Sequence, residues 1–484
     1  MTGTRKALAL SFFERYTSIA IYAVSSAVMS RILTPQDIGL FSVGFALTAL
    51  VSQFRDFGVA TYLIQEPVLT AEKVRAALGM SIITALAVGL VLVIASGVAG
   101  QIYHQVGVKW VILITAISLF FIPVNSIIAM WLRRQMMYGP IYRISIVGAL
   151  AQTVVTVGLG MMGWGYLSMA WGSVANSVGL ALAGIRYWPR EYGFLPSFRS
   201  WGPIASLGFY GTVGNLGEEI TPRSTDLFVG RMLGMAGLGQ FSRASSLVGF
   251  VTNSLITAAM PVALSVLALK SRANEEIHEA YLKAISYLTV IVWPVFVFTA
   301  IMTFQIIRIL FGHQWDIAVF PARILALGGL VTALTAIHPS VFQAVGAMKL
   351  RMYVQLIMTP IQVAVFFVAA HFGLAWVAFA SIVSSIVEFV PSQIAVNRIA
   401  KVSMGDIAAS VIGSFYVSLG SALLPLLLLA VFPATGDNVV VTLVLASIAA
   451  TIGWLGSIYL LKHPIRSEVE ATFALLKTHA RRFI

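Results

Sequence analysis

Apolar residues run along this chain in long unbroken stretches, without the two-residue alternation of a half-buried strand. Fourteen stretches fall at about 8–33, 38–64, 76–99, 107–131, 141–161, 165–186, 203–231, 236–268, 284–311, 321–346, 353–371, 374–396, 408–432 and 439–461. A helix of about 20 apolar residues crosses a hydrocarbon core, and each stretch is near or above that length. A membrane barrel would instead show segments of about ten residues alternating in and out. The pattern predicts an all-α polytopic membrane protein with about 14 transmembrane helices.

Composition agrees. The chain is 59% hydrophobic and 10% charged, with a mean hydropathy of +0.91; soluble domains carry about a quarter charged residues. The placement of charge adds an orientation. With a cytoplasmic N-terminus, the even-numbered gaps and both tails hold 22 of the 31 Lys and Arg. Odd gaps hold six (Arg31, Lys109, Arg231, Arg243, Arg308 and Arg323), and Arg15, Arg55 and Arg223 fall inside predicted helices. The positive-inside rule then puts both termini in the cytoplasm. Basic loops against anionic lipid account for the +13 net charge, so membrane lipids are partners and no nucleic-acid site is implied.

The first apolar run follows Arg5 and Lys6 as a signal peptide would, but it is too long for one and carries Glu14 and Arg15. It reads as an uncleaved span. The absence of Cys excludes disulfides, thiolate metal sites and a catalytic thiol. In the tail from His463, Val469, Phe473 and Leu476 share a face, the pattern of an interfacial helix.

The chain also repeats itself. RILTPQDIGLFS begins at Arg31 and RMLGMAGLGQFS at Arg231, each where one helix leaves the membrane and the next returns. A second echo pairs Pro123, Arg133 and Gln135 with Pro339, Lys349 and Arg351. A displacement of six helices preserves direction, so the repeats are parallel, related by a pseudo-two-fold axis along the membrane normal. This predicts a six-helix lobe over 1–186, a cytoplasmic linker over 187–202 and a second six-helix lobe over 203–396. Two additional helices over 397–462 and a cytoplasmic tail over 463–484 complete the chain. Two lobes about a cavity is the architecture of an alternating-access transporter.

Charges inside spans cost roughly 2.5–3.5 kcal/mol at a helix centre and need a partner, a wet cavity or a task. Arg15, Arg55 and Arg223 stand against the acids Glu14, Asp56, Glu218, Glu219, Asp226 and Glu388. Helix-pinning ion pairs are one reading; a mixed polar cavity is the other, favoured because the charges concentrate on helices one, two and seven. Glu219, Arg223 and Asp226 share one helical face. Gly208, Gly211, Gly214, Gly217 and Pro222 equip the same helix to bend. His338 and His371 read as ordinary. The sequence holds no Walker A, GxSxG or HExxH motif, and no gap between spans exceeds about twenty residues. The reading is therefore not an enzyme and not directly ATP-driven, with no cofactor beyond a possible coupling ion, H+ or Na+.

Two segments carry a family resemblance. SRILTPQDIGLFSVGFALTALVSQFRDFGVATYLIQ at 30–65 and TDLFVGRMLGMAGLGQFSRAS at 225–245 resemble the bacterial polysaccharide flippases of the MOP superfamily, relatives of lipid II flippases and MATE exporters. The resemblance implies a bacterial inner-membrane protein that turns an undecaprenyl-diphosphate-linked oligosaccharide from the cytoplasmic to the periplasmic leaflet. Exopolysaccharide or lipopolysaccharide synthesis would follow, with polymerase and glycosyltransferases as partners. It also matches Asp56 and Asp226 to recurrent family acids. Arg15, Arg55 and Asp56 become candidates for the diphosphate or sugar, since Arg pairs two hydrogen bonds with phosphate. Glu218, Glu219, Pro222, Arg223, Asp226 and Glu388 become candidates for coupling and gating. A MATE-like exporter of cations and a non-transporting scaffold of a polysaccharide assembly complex stay open as alternatives.

Overall fold

In the computed structural model, the described residues are 2–54, 59, 62–63, 66, 68–198, 201–273, 275–432 and 438–471, without the side chains of 2–9, 11–12, 203–216 and 218. Fourteen long helices follow one another, and no strand occurs among the described residues. They are α1 Thr2–Ile32, α2 Pro35–Ser52, α3 Ala71–Ile102, α4 Val106–Arg134, α5 Tyr138–Met161, α6 Tyr166–Tyr187 and α7 Gly202–Met232. After them come α8 Gly234–Arg272, α9 His278–Leu310, α10 His313–Ala344, α11 Met348–Ala370, α12 Leu374–Ala400, α13 Met404–Val431 and α14 Val439–Leu460. Twelve are long and apolar enough to cross a membrane; α1 and α7 are not among the twelve. Those two are equivalent under the sequence repeat, and both carry charge in their interiors.

Apolar stretches mark the hydrocarbon, and the helices continue past it. α3 starts at Ala71, where the Thr70 hydroxyl accepts from the Lys73 N–H, and α13 starts at Met404 behind a Ser403–Asp406 capping box. Both begin several residues before their apolar runs because capping, not hydropathy, sets a helix end. α2 errs the other way: it is capped at Gln53, short of the 64 predicted. Inside spans, α4 contains a 3-10 segment at Ser118–Phe121, and α8 a π segment at Thr252–Ile256.

Small residues let helices close on one another. A Cβ at Gly172 of α6 would collide with the Thr156 hydroxyl of α5, and one at Gly148 of α5 would lie 2.7 Å from Leu180 of α6. The described residues of the 187–202 segment are docked. Trp188 is buried and stacks on Phe194 at 4.7 Å, and Tyr192 meets Trp131 edge-on at 5.5 Å. The Arg75 guanidinium donates to the Leu195 carbonyl and the Ser197 N–H donates to the Arg75 carbonyl, both at 2.8 Å.

The chain divides into two compact units, Met1–Ser242 with Phe366–Leu374, and Arg243–Val365 with Ala375–Ile484. A repeat is an equivalence of helices and a unit is a set of contacts, so the two partitions need not coincide. In the second unit Tyr281, Ile285 and Phe296 of α9 pack with Ala333 and Phe342 of α10 and Val396 of α12.

Candidate functional site

The segment that carries the resemblance starts a helix. Thr34 and Asp37 form a capping box: the Thr34 hydroxyl accepts from the Asp37 N–H at 3.2 Å, and the Asp37 carboxylate accepts from the Thr34 N–H at 3.1 Å and hydroxyl at 2.6 Å. Pro35 occupies the first turn, where its missing N–H costs nothing. Position 200 further on, Gly234 at φ +77° opens α8 instead.

Equivalent positions of the repeat then meet each other within the first unit. A Cβ on Gly39 would strike the Met235 backbone carbonyl, and a Cβ on Gly239 would strike that of Pro35. Ser42 donates to Ser242 at 3.3 Å. Every pair is reciprocal at the offset of 200, which is what a two-fold axis through this contact demands. The second echo fails. Arg133 lies in the last turn of α4, whereas Lys349 lies in the first turn of α11, because Pro123 and Pro339 stand at different distances from their helix ends.

Of the predicted site residues, the structure gathers three on α7. The Arg223 Nε donates to Glu219 at 3.2 Å, and the guanidinium lies over the Phe45 ring of α2 at 5.3 Å. Asp226 is half-buried on the next turn with Arg223 as its charged neighbour. Tyr103, at the end of α3, donates to the Leu227 carbonyl at 3.1 Å. Helix α7 runs unbroken through Pro222, whose side is exposed. Arg15 is half-buried on α1 and engaged by neighbours. Arg55, Asp56 and the side chain of Glu218 lie outside the described residues.

Glu388 belongs to the second unit. On α12 it stands 3.5 Å from the Gln362 amide of α11, which also donates to the Ser384 carbonyl at 3.2 Å, with Arg351 as its charged neighbour. His338 is buried and bonded to the Gln393 carbonyl oxygen at 2.9 Å, an oxygen that Tyr281 also reaches at 3.0 Å. His371 is exposed. One charge is corrected: Arg243 sits within α8, buried over Phe311 and Trp315 at 5.6 and 5.7 Å, not in an outer gap. The apolar stretch at 236–268 already enclosed it, but its two aromatic neighbours are far away in sequence and hydropathy could not name them. The same unit holds an apolar groove of about 330 Å³ lined by Ile291, Pro294 and Phe298 of α9, Ser421 of α13, and Thr451 and Trp454 of α14.

Residues 28–319, more than half the chain, match the family described as polysaccharide biosynthesis protein. The chain belongs to this family. No curated protein matches it by sequence. Among solved structures, the lipid II flippase MurJ in an inward closed conformation superposes with a TM-score of 0.76 at 14% identity, covering 95% of this chain and 100% of that one. An inward-facing MATE multidrug transporter of the MOP superfamily gives 0.66 at 16% identity over 80% and 96%. A MOP superfamily transporter from Pyrococcus furiosus, described by the reverse polarity of its binding pocket, gives 0.54 at 15% over 82% and 97%. At such identities these likenesses establish the fold alone, the one that those three transporters share with this chain. Phe45, Tyr103, Gln362 and Arg351 are the site neighbours that sequence reading missed; as neutral residues or a loop base, they carried no signal of their own.

Proposed function

We propose that this family member is an alternating-access flippase for an undecaprenyl-diphosphate-linked oligosaccharide, serving exopolysaccharide or lipopolysaccharide synthesis. It acts in the bacterial inner membrane with both termini cytoplasmic, and it performs no covalent chemistry. The observation that carries this reading is the pairing of the two least apolar helices. α1 and α7 are repeat equivalents, and between them they hold Arg15, Glu219, Arg223 and Asp226 inside a membrane chain of a polysaccharide biosynthesis family. A diphosphate with its sugars cannot cross hydrocarbon unaided, whereas its lipid tail can stay there. Arg15 and Arg55 would hold the diphosphate.

The Gly39–Gly239 contact supports the cycle. It joins the starts of the repeat-equivalent helices α2 and α8; with both termini cytoplasmic those starts would face outward, and parting them would open the outer side. Glu219, Arg223 and Asp226 would exchange partners as that happens, with Pro222 as the bend and H+ or Na+ as the coupling ion. Flipping of a lipid-linked oligosaccharide in proteoliposomes, with and without imposed proton and sodium gradients, is the test. The Arg15→Gln variant should flip severely less and Arg15→Lys partly less, since Lys keeps the charge without the planar fork. Normal flipping by an abundant Arg15→Gln, Arg55→Gln double variant removes these residues from the mechanism. The acids Glu219, Asp226 and Glu388 favour a second reading, export of a cationic small molecule, which accumulation in inverted vesicles would reveal.

A further inference from the structure

Helix α1 has two unlike faces. At 100° per residue, Glu14, Arg15, Ser18, Tyr22, Ser25 and Ser26 fall within about a third of its circumference, while Phe13 and Tyr16 point the opposite way. Phe13 is 67% exposed, as a lipid-facing ring would be. The exposed side of α3 shows what lipid selects: Leu86, Leu90, Val91, Val93, Ile94 and Val98, with no polar group among them. A stripe holding an arginine and three serines does not belong there.

Near its middle the stripe meets α6. The Asn176 amide donates to the Tyr22 hydroxyl at 2.9 Å, over Gly148 of α5, where an added Cβ would lie 3.5 Å from that amide nitrogen. The next carbonyl of α6, that of Ser177, accepts from the Asn125 amide of α4 at 3.1 Å. The Asn125 carbonyl oxygen is itself buried with no hydrogen-bond partner among the described residues. A buried polar atom left so calls for a water or a ligand group.

The chemistry of this spot is specific. Tyr22 accepts from Asn176 and keeps its own proton to donate, while Asn176 keeps a second N–H and its carbonyl oxygen. Donor, donor and acceptor therefore converge, all neutral, beside a phenol ring. Glu14, about two turns away on the same stripe, acts on Tyr22 only through space; a lipophilic cation would call for an acid in contact with the pair, and a phosphate for a guanidinium. Vicinal hydroxyls of a pyranose, each both donor and acceptor, match the set, and the ring offers a face for sugar C–H groups. Arg15 lies seven residues towards the cytoplasmic end, about 10 Å along the axis. That is the reach from a diphosphate to the first or second sugar ring of its glycan.

We propose that Tyr22 and Asn176 form a neutral sugar subsite, which holds one of the first pyranoses of the cargo while Arg15 holds the diphosphate. The proposal rests on the flippase reading above and adds the determinant that separates glycosylated from bare carrier lipid. A site built to hydrogen-bond a hydroxyl rejects analogues that lack it, because its own groups are then left unpaired.

The test measures affinity of the reconstituted full chain for two probes, a polyprenyl diphosphate without sugar and the same lipid bearing a hexose disaccharide. Wild type should bind the disaccharide lipid at least about tenfold tighter. Tyr22→Phe, which keeps the ring, and Asn176→Leu should each bring that preference below about threefold and leave affinity for the bare lipid unchanged. The double variant should be no worse than either single one, since the pair acts as a unit. Arg15→Gln should weaken both probes alike. A tenfold preference that survives in both single variants overturns the subsite. Equal binding of the two probes by wild type overturns it too, while leaving the flippase reading intact. Binding of neither probe overturns both.

Discussion

At the start of α2 and α8, glycines let backbone meet backbone, and one polar link beside them is Ser42 to Ser242 at 3.3 Å, long for a bond between hydroxyls. Where α13 crosses α14, glycines serve again: Gly420 has no room for a Cβ beside Ser457, and a Cβ on Gly453 would lie 2.6 Å from the Gly420 carbonyl. Here the surroundings differ. Ser421 donates to the Ala450 carbonyl at 3.0 Å, Trp454 to the Val290 carbonyl at 2.9 Å, and Thr289 to Ser414 at 2.9 Å. His463, folded back after α14, lies within 3.4 Å of both Ser286 and Ser414. Each buried hydrogen bond contributes about 1 kcal/mol net, and leaving one unmade costs more. The α13–α14 crossing is thus fastened, and the α2–α8 contact rests on fit. On the cycle proposed above, in which the α2–α8 contact parts, the second design is the expected one.

The largest effect should come from filling the glycines of the α2–α8 contact. Gly39→Val and Gly239→Val each push a side chain into a backbone carbonyl that cannot rotate away, and flipping should fall by more than tenfold. Overpacking costs about 1–3 kcal/mol, so the smaller Gly39→Ala and Gly239→Ala should still bias the contact towards parting. A Cys introduced at Ser42 should then react about tenfold faster with an impermeant thiol reagent from outside. The two glycines should behave alike, as their reciprocal geometry requires. If only one of them matters, the two-fold gate is wrong.

The same substitution at the fastened crossing should act differently. Gly420→Val removes the approach of α13 to α14, and the expected loss is of folded protein, with no increase in outside labelling at Ser42→Cys. Unchanged abundance and normal flipping would mean that the crossing is not a permanent attachment. Thr289→Val and Ser414→Ala should each lower stability by about 1–3 kcal/mol through a buried partner left unsatisfied. For a unit of about 150–250 residues that is a fall in Tm of about 2–4 °C per kcal/mol. Flipping per folded molecule should stay constant.

How far these two regions could be read from the sequence differs for a physical reason. Hydropathy sees the solvent of a residue, so fourteen long helices were legible, twelve of them apolar enough to span, with ends misplaced wherever a cap such as Thr70 or Ser403 set the boundary. The 200-residue offset was legible at Arg31 and Arg231, and it foretold that positions 39 and 239 are equivalent. Their contact with Pro35 and Met235 was not foretold, because sequence equivalence says nothing about distance from the axis. Glu219, Arg223 and Asp226 could be joined by helical periodicity, since spacing along one helix is geometry already written in the chain. Partners from other helices, such as Phe45 for Arg223, Gln362 for Glu388 and Trp315 for Arg243, needed the fold. His463 belongs with these. In sequence it is one residue of a polar tail; in the structure its burial is 97% complete and it closes the crossing.

That histidine gives the smallest effect and the one most specific to the fastened region. It lies just past the end of α14, where burial pushes its pKa below the ordinary value. Its Nδ1 accepts from the Ile465 N–H at 3.2 Å, which leaves Nε2 to carry the proton towards Ser286 and Ser414. A second proton could enter only at Nδ1, replacing an accepted hydrogen bond with two donors facing each other. The unfolded chain, with an ordinary histidine near 6.5, takes up that proton first as pH falls. Linkage then fixes the sign: the stability due to neutral His463 is complete above about pH 6.5 and is lost as pH drops towards the lowered folded value. Thermal unfolding should shift down by a few degrees between pH 7.5 and 5.5. His463→Gln, which keeps an amide able to donate to the serines, should flatten part of that slope while flipping at pH 7.5 is unaltered. Outside labelling at Ser42→Cys should be equally indifferent to pH, because the α2–α8 contact has no titrating group among its reciprocal pairs. A pH slope identical in wild type and His463→Gln would show that the tail is not what fastens α14.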